Sequence, residues 1–307
     1  MANVFANGQY RIITAALRAE FQKGIEETQL VSTPLFQKVP STGYENVYSW
    51  LEHLPGMKEW FKGDARTLRN YSLRDFSVKN RKFEDTLPIS IDDIDDNQLG
   101  QLGPAMRGMT DAAKLIIDQL AFEVFNNGFT TALTYDGLPW FSHTHPVGVG
   151  TVDNYITSTL TAASFATAYQ NIKKFMVQPD KLSAPRPLNP GGRYLLVVNP
   201  SNEVVARQLL LAERNAAGAT NILMGAADIL STSWVTSPNA WYLLNVGASV
   251  KPLFVQERQP LTMIEKTPAN SDVAFYYDEI IYGVKWRGAA LASLPWLAIG
   301  SDGTTPG

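Results

Sequence analysis

Two histidines, His143 and His145, lie two residues apart and close to Asp136 and Ser142. Imidazole and carboxylate groups can bind zinc or transfer protons in acid-base catalysis. Alternate side chains of an extended segment point the same way, so the pattern admits a metal-dependent hydrolase. However, the spacing fixes no third protein ligand, and the only other histidine is His53. Because motif matches without their structural context are mostly false positives, we favour a structural role for this loop.

The sequence also lacks the residues and motifs that other common catalytic mechanisms require. The chain has no cysteine, which excludes disulfides, thiolate metal sites and cysteine nucleophiles and suits a reducing cytoplasm. It also lacks the G-x-S-x-G, Walker, Rossmann and H-E-x-x-H patterns of hydrolases, nucleotide-binding proteins and metalloproteases. We therefore predict that the protein is not an enzyme, with no catalytic residue, no metal and no cofactor.

Charge is segregated by sign over two adjacent segments. The first is basic and carries Trp60 and Phe61, and the second is acidic. The basic residues are Lys58, Lys62, Arg66, Arg69, Arg74, Lys79, Arg81 and Lys82, and the acidic residues include Glu84, Asp85, Asp92, Asp93, Asp95 and Asp96. Long loops without a core of their own are usually functional or held by a partner. We predict that neighbouring copies of the chain hold this one. The interface candidates are Lys58, Trp60, Phe61, Lys62, Arg66, Arg69, Arg74, Glu84, Asp85, Asp92 and Asp93.

Two alternatives exist for these charges. The aspartates at 92–96 could gather a hard cation such as calcium, but they lack the ligand spacing of an EF-hand, so a solvated turn or an intersubunit patch is the better interpretation. The basic residues could contact DNA phosphates. Acidic residues interleaved among them, such as Glu59 and Asp64, favour a protein partner.

Composition and periodicity describe the elements that must position these groups. The chain has 307 residues, 45% of them hydrophobic, and a net charge of -3, which allows a large core but gives no general attraction to nucleic acid. Apolar residues at helical spacing, namely Ile12, Ile13, Ala16, Leu17 and Phe21, predict one face of an amphipathic helix over 9–26. A second apolar pattern predicts a central helix at about 105–126 that packs on more than one side. No apolar run approaches the roughly 20 residues of a membrane span, and no leader pattern begins the chain. We expect a protein that is neither exported nor embedded in a membrane.

The second half of the chain is predicted to be mixed helix and strand. Helical spacing continues at 160–177, and a proline-rich linker follows at 179–190. Tyr194 to Val198 is a short continuous apolar run that predicts a buried strand, and Asn199-Pro200 predicts the start of a helix. Further strands are predicted at 229–235, 241–245, 253–257 and 275–286.

The order of these elements resembles the tailed-phage major capsid proteins, in particular the major head subunit of Mu-like phages. The most distinctive segment is Asp136-Gly137-Leu138-Pro139-Trp140-Phe141-Ser142-His143-Thr144-His145-Pro146, which is similar to that family's Asp-Gly, Phe-Ser and His-Pro loop after its spine helix. Two further segments resemble the family: Leu196 to Pro200, and the closing strands from Phe275 to Ala290.

The resemblance implies an α+β tailed-phage major capsid fold. In that fold, residues 1–44 would form an amino-terminal arm and 45–190 a peripheral domain, with an extended loop at about 51–82 and a spine helix at about 105–126. Residues 191–300 would form an axial domain, with about 253–272 returning to the peripheral domain, and 301–307 a tail.

The resemblance also implies a function. The chain would build pentamers and hexamers of an icosahedral head around double-stranded DNA, in the virion and, during assembly, in the host cytoplasm. Its partners would be other copies, a portal, and a scaffold or decoration protein. An encapsulin-like shell around cargo enzymes is the alternative within the same fold class.

Overall fold

Helices and strands are interleaved along the whole chain. The computed structural model describes residues 3–51, 73–90, 92, 100, 102–178, 184–189, 191–215, 217–266, 276–277 and 279–304. The helices are α1 (Asn3–Glu27), α2 (Leu102–Asn126), α3 (Ala162–Lys174) and α4 (Glu203–Leu210). The strands are β1 (Phe36–Pro40), β2 (Glu45–Leu51), β3 (Leu73–Lys79), β4 (Arg81–Ser90), β5 (His145–Val147), β6 (Gly150–Val152), β7 (Tyr155–Ile156), β8 (Met176–Val177), β9 (Arg186–Pro187), β10 (Tyr194–Val198), β11 (Asp228–Ser231), β12 (Trp241–Asn245), β13 (Leu253–Lys266), β14 (Glu279–Ala292) and β15 (Ala298–Ser301).

A four-stranded sheet joins the two ends of the chain in the order β1-β13-β14-β4. Strand β1 runs parallel to β13, and the other neighbours are antiparallel. The sequence predicted that about 253–272 would return to the peripheral domain, and β13 lies in this sheet. Strand β14 lies beside it, and the two strands pair with each other along most of their length, as far as Ala292.

A five-stranded sheet has the order β11-β10-β12-β15-β7. Along β10, Leu195 and Val197 belong to one core cluster, whereas Leu196 and Val198 belong to the cluster on the opposite face. Strand β12 alternates in the same way, and all five residues of each strand are buried. Burial on both faces explains why β10 is a continuous apolar run without alternation.

Helix α2 lies between the two sheets. Its carboxyl-terminal half, including Phe122 and Phe125, packs with residues of both sheets in one core cluster. Its first turns contribute Met106 and Met109 to another cluster with α1, β4 and β14. The helix begins three residues before the predicted start, with Pro104 in its first turn, where proline costs no hydrogen bond. The prediction that this helix packs on more than one side is confirmed.

Helix α3 covers the opposite face of the five-stranded sheet. Phe165, Ala168 and Ile172 pack there with residues of β10, β12 and α4. Thr161 and Ser164 form a capping box that starts the helix. The sequence assigned this helix to the peripheral portion, but its apolar face packs on the sheet built mainly by residues after 191.

Helix α1 buries a narrower stripe than its sequence predicts. Ile13, Leu17 and Phe21 are buried, as expected for one face of an amphipathic helix. Ile12, which was placed on the same face, is 71% exposed. Only the residues that face α2 and the four-stranded sheet are covered.

The segment after α1 is fastened to α2 by a buried carboxylate. Asp118 is fully buried and accepts hydrogen bonds from the backbone nitrogens of Val31 and Ser32, at 3.0 and 2.9 Å. The hydroxyl of Ser32 also donates to it. The predicted extended arm is therefore held against its own subunit between α1 and β1.

Strands occupy part of the predicted long loop. Strands β2 and β3 pair from Glu45 with Lys79 to Leu51 with Leu73, and β4 begins at Arg81. Along β3, Phe76 and Val78 are half-buried while Asp75, Ser77 and Lys79 are exposed. This alternation is typical of a strand. The described part of the predicted extended loop at about 51–82 is therefore mostly strand, and residues 52–72 lie outside the described part.

Candidate functional site

The loop that carries the histidines folds back onto the end of α2. The backbone nitrogens of Trp140 and Phe141 donate to the carbonyls of Ala132 and Gly128, both at 2.9 Å. Trp140 and Phe141 are almost fully buried and stack with ring centroids 4.6 Å apart. A Cβ atom at Gly128 would lie 2.7 Å from the Phe141 ring, so glycine is required for this approach. These two aromatic residues are covered by their own subunit.

His145 and Asp136 form a buried pair inside this loop. The Nδ1 atom of His145 lies 2.7 Å from Oδ2 of Asp136, and its Nε2 atom lies 3.1 Å from the Trp140 carbonyl. Both side chains are 0% exposed. Because carboxylate and carbonyl oxygens only accept hydrogen bonds, both contacts are satisfied when both ring nitrogens carry protons. The arrangement is a buried, hydrogen-bonded pair that closes the loop.

The Asp136 carboxylate is further fixed from its own turn. It accepts from the hydroxyl of Thr134 at 2.6 Å and from the backbone nitrogen of Leu138 at 3.1 Å. Burial raises the pKa of Asp136, but the hydrogen bonds from His145 and Thr134 outweigh burial and lower the pKa below its ordinary value.

Asn154 connects the loop to the five-stranded sheet. Its side-chain nitrogen donates to the carbonyls of Trp140 and Pro295, at 2.8 and 2.9 Å, and its oxygen accepts from the backbone nitrogen of Ser142 at 2.8 Å. Asn154 is fully buried. The histidine loop is therefore a structural junction between the end of α2 and the sheet.

His143 points to different surroundings. Its side chain is 57% exposed, and its Nδ1 atom lies 3.0 Å from Oδ1 of Asp153. Its ring lies 4.8 Å from that of Tyr155, whose hydroxyl donates to Asp302 at 2.6 Å. Burial, followed by the contact with Asp302, raises the pKa of Tyr155 to about 12.

The hypothesis of a zinc site formed by His143, His145 and Asp136 lacks its geometry. Both ring nitrogens of His145 already face protein oxygens, and His143 pairs with another carboxylate. Over the described ranges, no group of three or more histidine, aspartate or glutamate side chains could hold a metal ion.

No helix among those same residues is long and apolar enough to cross a membrane.

The predicted interface residues fall into three groups. Glu84, Asp85 and Asp92 are described and exposed. Glu84 and Asp85 lie on β4, an edge strand of the four-stranded sheet, where Glu84 stands opposite Lys285 of β14. Arg74 lies on β3, and its side chain is not described. The remaining candidates lie outside the described residues: Lys58, Trp60, Phe61, Lys62, Arg66, Arg69 and Asp93.

The comparison with protein families identifies this combination of elements. The family model described as Mu-like prophage major head subunit gpT matches residues 11–182, 155–235 and 236–305. The chain belongs to this family. The resemblance of the chain to the Mu-like major head subunits is thereby confirmed.

Two curated proteins that are similar to this chain are a phage head subunit and a phage capsid protein. The Mu-like prophage FluMu major head subunit of Haemophilus influenzae is 27% identical over 87% of this chain and 64% of its own length. The major capsid protein of Escherichia phage Mu is 26% identical over 91% of this chain and 69% of its own length. The chain thus spans about two thirds of the length of these curated relatives.

Solved structures show the fold of the head-subunit family. The procapsid subunit of bacteriophage JBD30 matches with a TM-score of 0.53 at 24% identity, over 96% of this chain and 76% of that one. A virus-like particle from Pyrococcus furiosus matches with a TM-score of 0.54 at 11% identity, over 94% and 98%. The tailed-phage major capsid fold predicted from the sequence is confirmed.

The sequence did not predict one exposed apolar surface of this head-subunit chain. Val204, Leu211, Ile222 and Met224 are all more than half exposed, on α4 and the segment after it. Apolar spacing alone cannot distinguish them from covered neighbours such as Val205 and Leu209, which pack against a core cluster.

Proposed function

We propose that this chain is the repeating structural subunit of an icosahedral phage head. The observation that carries the proposal is the family match, which extends from residue 11 to residue 305. The fold shared with phage capsid subunits supports it. In this function the chain assembles into pentamers and hexamers that enclose double-stranded DNA, with a portal and a scaffold or decoration protein as further partners. The chain would then be part of the virion.

We also propose how its parts divide this work. The four-stranded sheet, α1 and α2 would form the peripheral domain, and the five-stranded sheet with α3 and α4 the axial domain. The separate strand orders of the four-stranded and five-stranded sheets support this division. The β2–β3 hairpin would project from the peripheral domain as the extended loop. Residues 1–44 would act as an arm whose inner part rests on its own subunit.

The first test is expression of the chain alone, followed by size-exclusion chromatography and negative-stain electron microscopy. Closed shells, tubes or rings of five or six subunits are the expected result, since shell subunits of one kind associate symmetrically. A chain that stays monomeric across a wide concentration range, both alone and with the scaffold protein of its phage, would overturn the proposal.

The basic segment provides a second test. Reversing Arg66, Arg69 and Arg74 to glutamate is expected to leave the monomer folded but to impair assembly, because their charges would no longer complement acidic residues on a neighbouring copy. The control carries the same change of charge at Lys23, Lys174 and Arg258, which are exposed residues elsewhere. Normal particles from the first variant would contradict the interface assignment.

The content of the particles distinguishes this function from a cargo-enclosing shell. The likeness to the Pyrococcus furiosus particle concerns the fold, whereas the family match is to phage head subunits. Particles assembled during phage growth should contain DNA protected from nuclease. A packaged enzyme without DNA would favour the encapsulin-like alternative. A structural role also accounts for the histidine loop without catalysis, because its polar groups are engaged with one another.

A further inference from the structure

The segment after α4 forms a small projecting hairpin. The backbone nitrogen of Asn215 donates to the carbonyl of Ala219, and that of Asn221 donates to the carbonyl of Glu213, at 2.8 and 2.9 Å. The Asn221 side chain donates to the carbonyls of Leu209 and Ala212, both at 2.9 Å. These bonds satisfy carbonyls at the end of the helix and fix the base of the hairpin. Its conformation is built into the subunit.

Two large apolar side chains are exposed immediately after this hairpin. Ile222 is 92% exposed and Met224 is 55% exposed; we call this pair the apolar knob. The backbone around the knob is fixed, because the nitrogen of Leu223 donates to the Asn221 side chain and that of Gly225 to the Leu210 carbonyl. Apolar groups held in a fixed, solvated position mark a contact surface.

A groove lies beside the base of the hairpin. It has a volume of about 530 Å³ and runs along β11, an edge strand of the five-stranded sheet. Leu211 and Ile229 contribute apolar surface, and neither knob residue lines it. The volume is within the range of protein sites that enclose a bound group. The knob and the groove are thus two different surfaces of one unit.

The charges around the knob and the groove balance. Arg193 pairs with Asp228 at 2.6 Å, and Arg207 pairs with Glu203 at 2.8 Å, all four along the groove. Because each of these charges is already paired within the subunit, the groove carries no excess of either sign and suits a neutral, apolar occupant. The tip is also rich in small neutral residues such as Ala217, Gly218 and Ala219, which allow close approach. The occupant that fits these features is another copy of the chain.

We propose that the apolar knob of one subunit docks in the groove beside β11 of the next subunit. A contact between two different surfaces is head-to-tail, and such contacts close into rings when the rotation per step divides a full turn. This inference rests on the proposed function, since it assigns the contact that links successive subunits within a pentamer or hexamer. The hairpin projects the knob and the sheet edge receives it.

Charge substitution in the knob tests the contact. Ile222→Asp and Met224→Asp place a carboxylate in an apolar contact but leave the folded monomer unaffected, because both side chains are exposed. We expect at least a tenfold loss of rings and particles, with unchanged circular dichroism and melting temperature. The matched control is Val149→Asp, since Val149 is apolar, 52% exposed and lies on the turn between β5 and β6. Particles from the knob variants at the wild-type yield would overturn the contact.

Cross-linking tests the partner surface directly. The chain has no cysteine, so the double variant Ile222→Cys/Ser231→Cys places one thiol on the knob and one in the groove. A disulfide requires Cα atoms closer than about 7 Å. We expect the double variant to form a ladder of covalent oligomers that extends beyond the dimer. Neither single variant should form such a ladder. A ladder that stops at dimer, or dimers from Ile222→Cys alone, would show a symmetric tip-to-tip contact and overturn the head-to-tail assignment.

These outcomes separate the inference from the proposed function. A wild-type chain that forms no oligomer with or without its scaffold contradicts the proposed function. Wild-type particles accompanied by normal particles from the knob variants contradict only the knob-and-groove contact.

Discussion

Replacing Asp118 by alanine should detach the segment after α1 from helix α2. The substitution removes the acceptor for two backbone nitrogens, those of Val31 and Ser32 at 3.0 and 2.9 Å, and for the Ser32 hydroxyl. Hydrogen bonds to a charged group contribute about 1.5–3 kcal/mol each, and unpaired buried donors bear the desolvation cost. Because Val31 is only partly covered, we expect a loss of about 3–5 kcal/mol in the free energy of unfolding, a large share of a domain's stability.

The assay is urea unfolding followed by tryptophan fluorescence, at protein concentrations low enough that the midpoint does not depend on concentration. Asp118→Asn keeps one acceptor oxygen and should lose less. Asp111→Ala on the same helix is the control, because the Thr28 hydroxyl that donates to Asp111 can turn fully to the Gly24 carbonyl. A loss below about 0.5 kcal/mol for Asp118→Ala, or one no larger than that of Asp111→Ala, would refute the reasoning.

Three further substitutions test the loop after α2. Gly128→Ala should lower the free energy of unfolding by about 1–3 kcal/mol, because its Cβ would lie 2.7 Å from the Phe141 ring; urea unfolding at the wild-type midpoint would contradict this close approach. Asp136→Asn should destabilise the protein by about 3 kcal/mol near neutral pH, because it leaves His145 with a weaker partner. The pKa of Asp136 in the folded protein is lowered. The stabilisation that this carboxylate contributes is therefore present above its unfolded pKa and is lost as pH falls through its folded pKa. The free energies of unfolding of the wild type and Asp136→Asn should thus converge below about pH 4, and a difference that stays constant with pH would contradict the pairing of Asp136 with His145. For Tyr155, whose pKa is raised to about 12, the difference in absorbance at 295 nm between wild type and Tyr155→Phe should show no phenolate up to pH 11, and titration near 10 would contradict its bond to a carboxylate.

The sequence predicted the elements whose burial is complete. Tyr194 to Val198 is apolar at every position because both faces of β10 are covered. A continuous apolar run without alternation therefore predicts a strand that is buried on both faces. Helix α2 was predictable because its apolar side chains pack on more than one side. Where only one side is covered, as in α1, the boundary of the apolar stripe depends on neighbours that the sequence does not name, and Ile12 was misplaced.

Contacts between distant segments were not predictable. Strand β3 is alternating, but its charges made the region resemble a long loop held by a neighbouring copy. His145 and His143 have the same chemistry and similar neighbours in sequence, yet one is buried in a hydrogen-bonded pair and the other is exposed. Ile222 and Ile229 likewise differ only in what the fold places over them. The exposed surface of a fold, where a partner would bind, is therefore the part that sequence reasoning reaches last.

The order of strands in the four-stranded sheet has a consequence for the timing of synthesis. Its outer strands β1 and β4 come from the first part of the chain, whereas its central strands β13 and β14 come from the last. Lys38 of β1 and Glu257 of β13, whose side chains pair at 3.4 Å, are 219 residues apart in sequence. Pairings of such long separation close slowly, because the entropy of the intervening chain must be lost first. A nascent chain on the ribosome therefore cannot complete this sheet until β14 has emerged. Polysomes crowded with partial chains would hold no complete four-stranded sheet on which a second subunit could assemble prematurely.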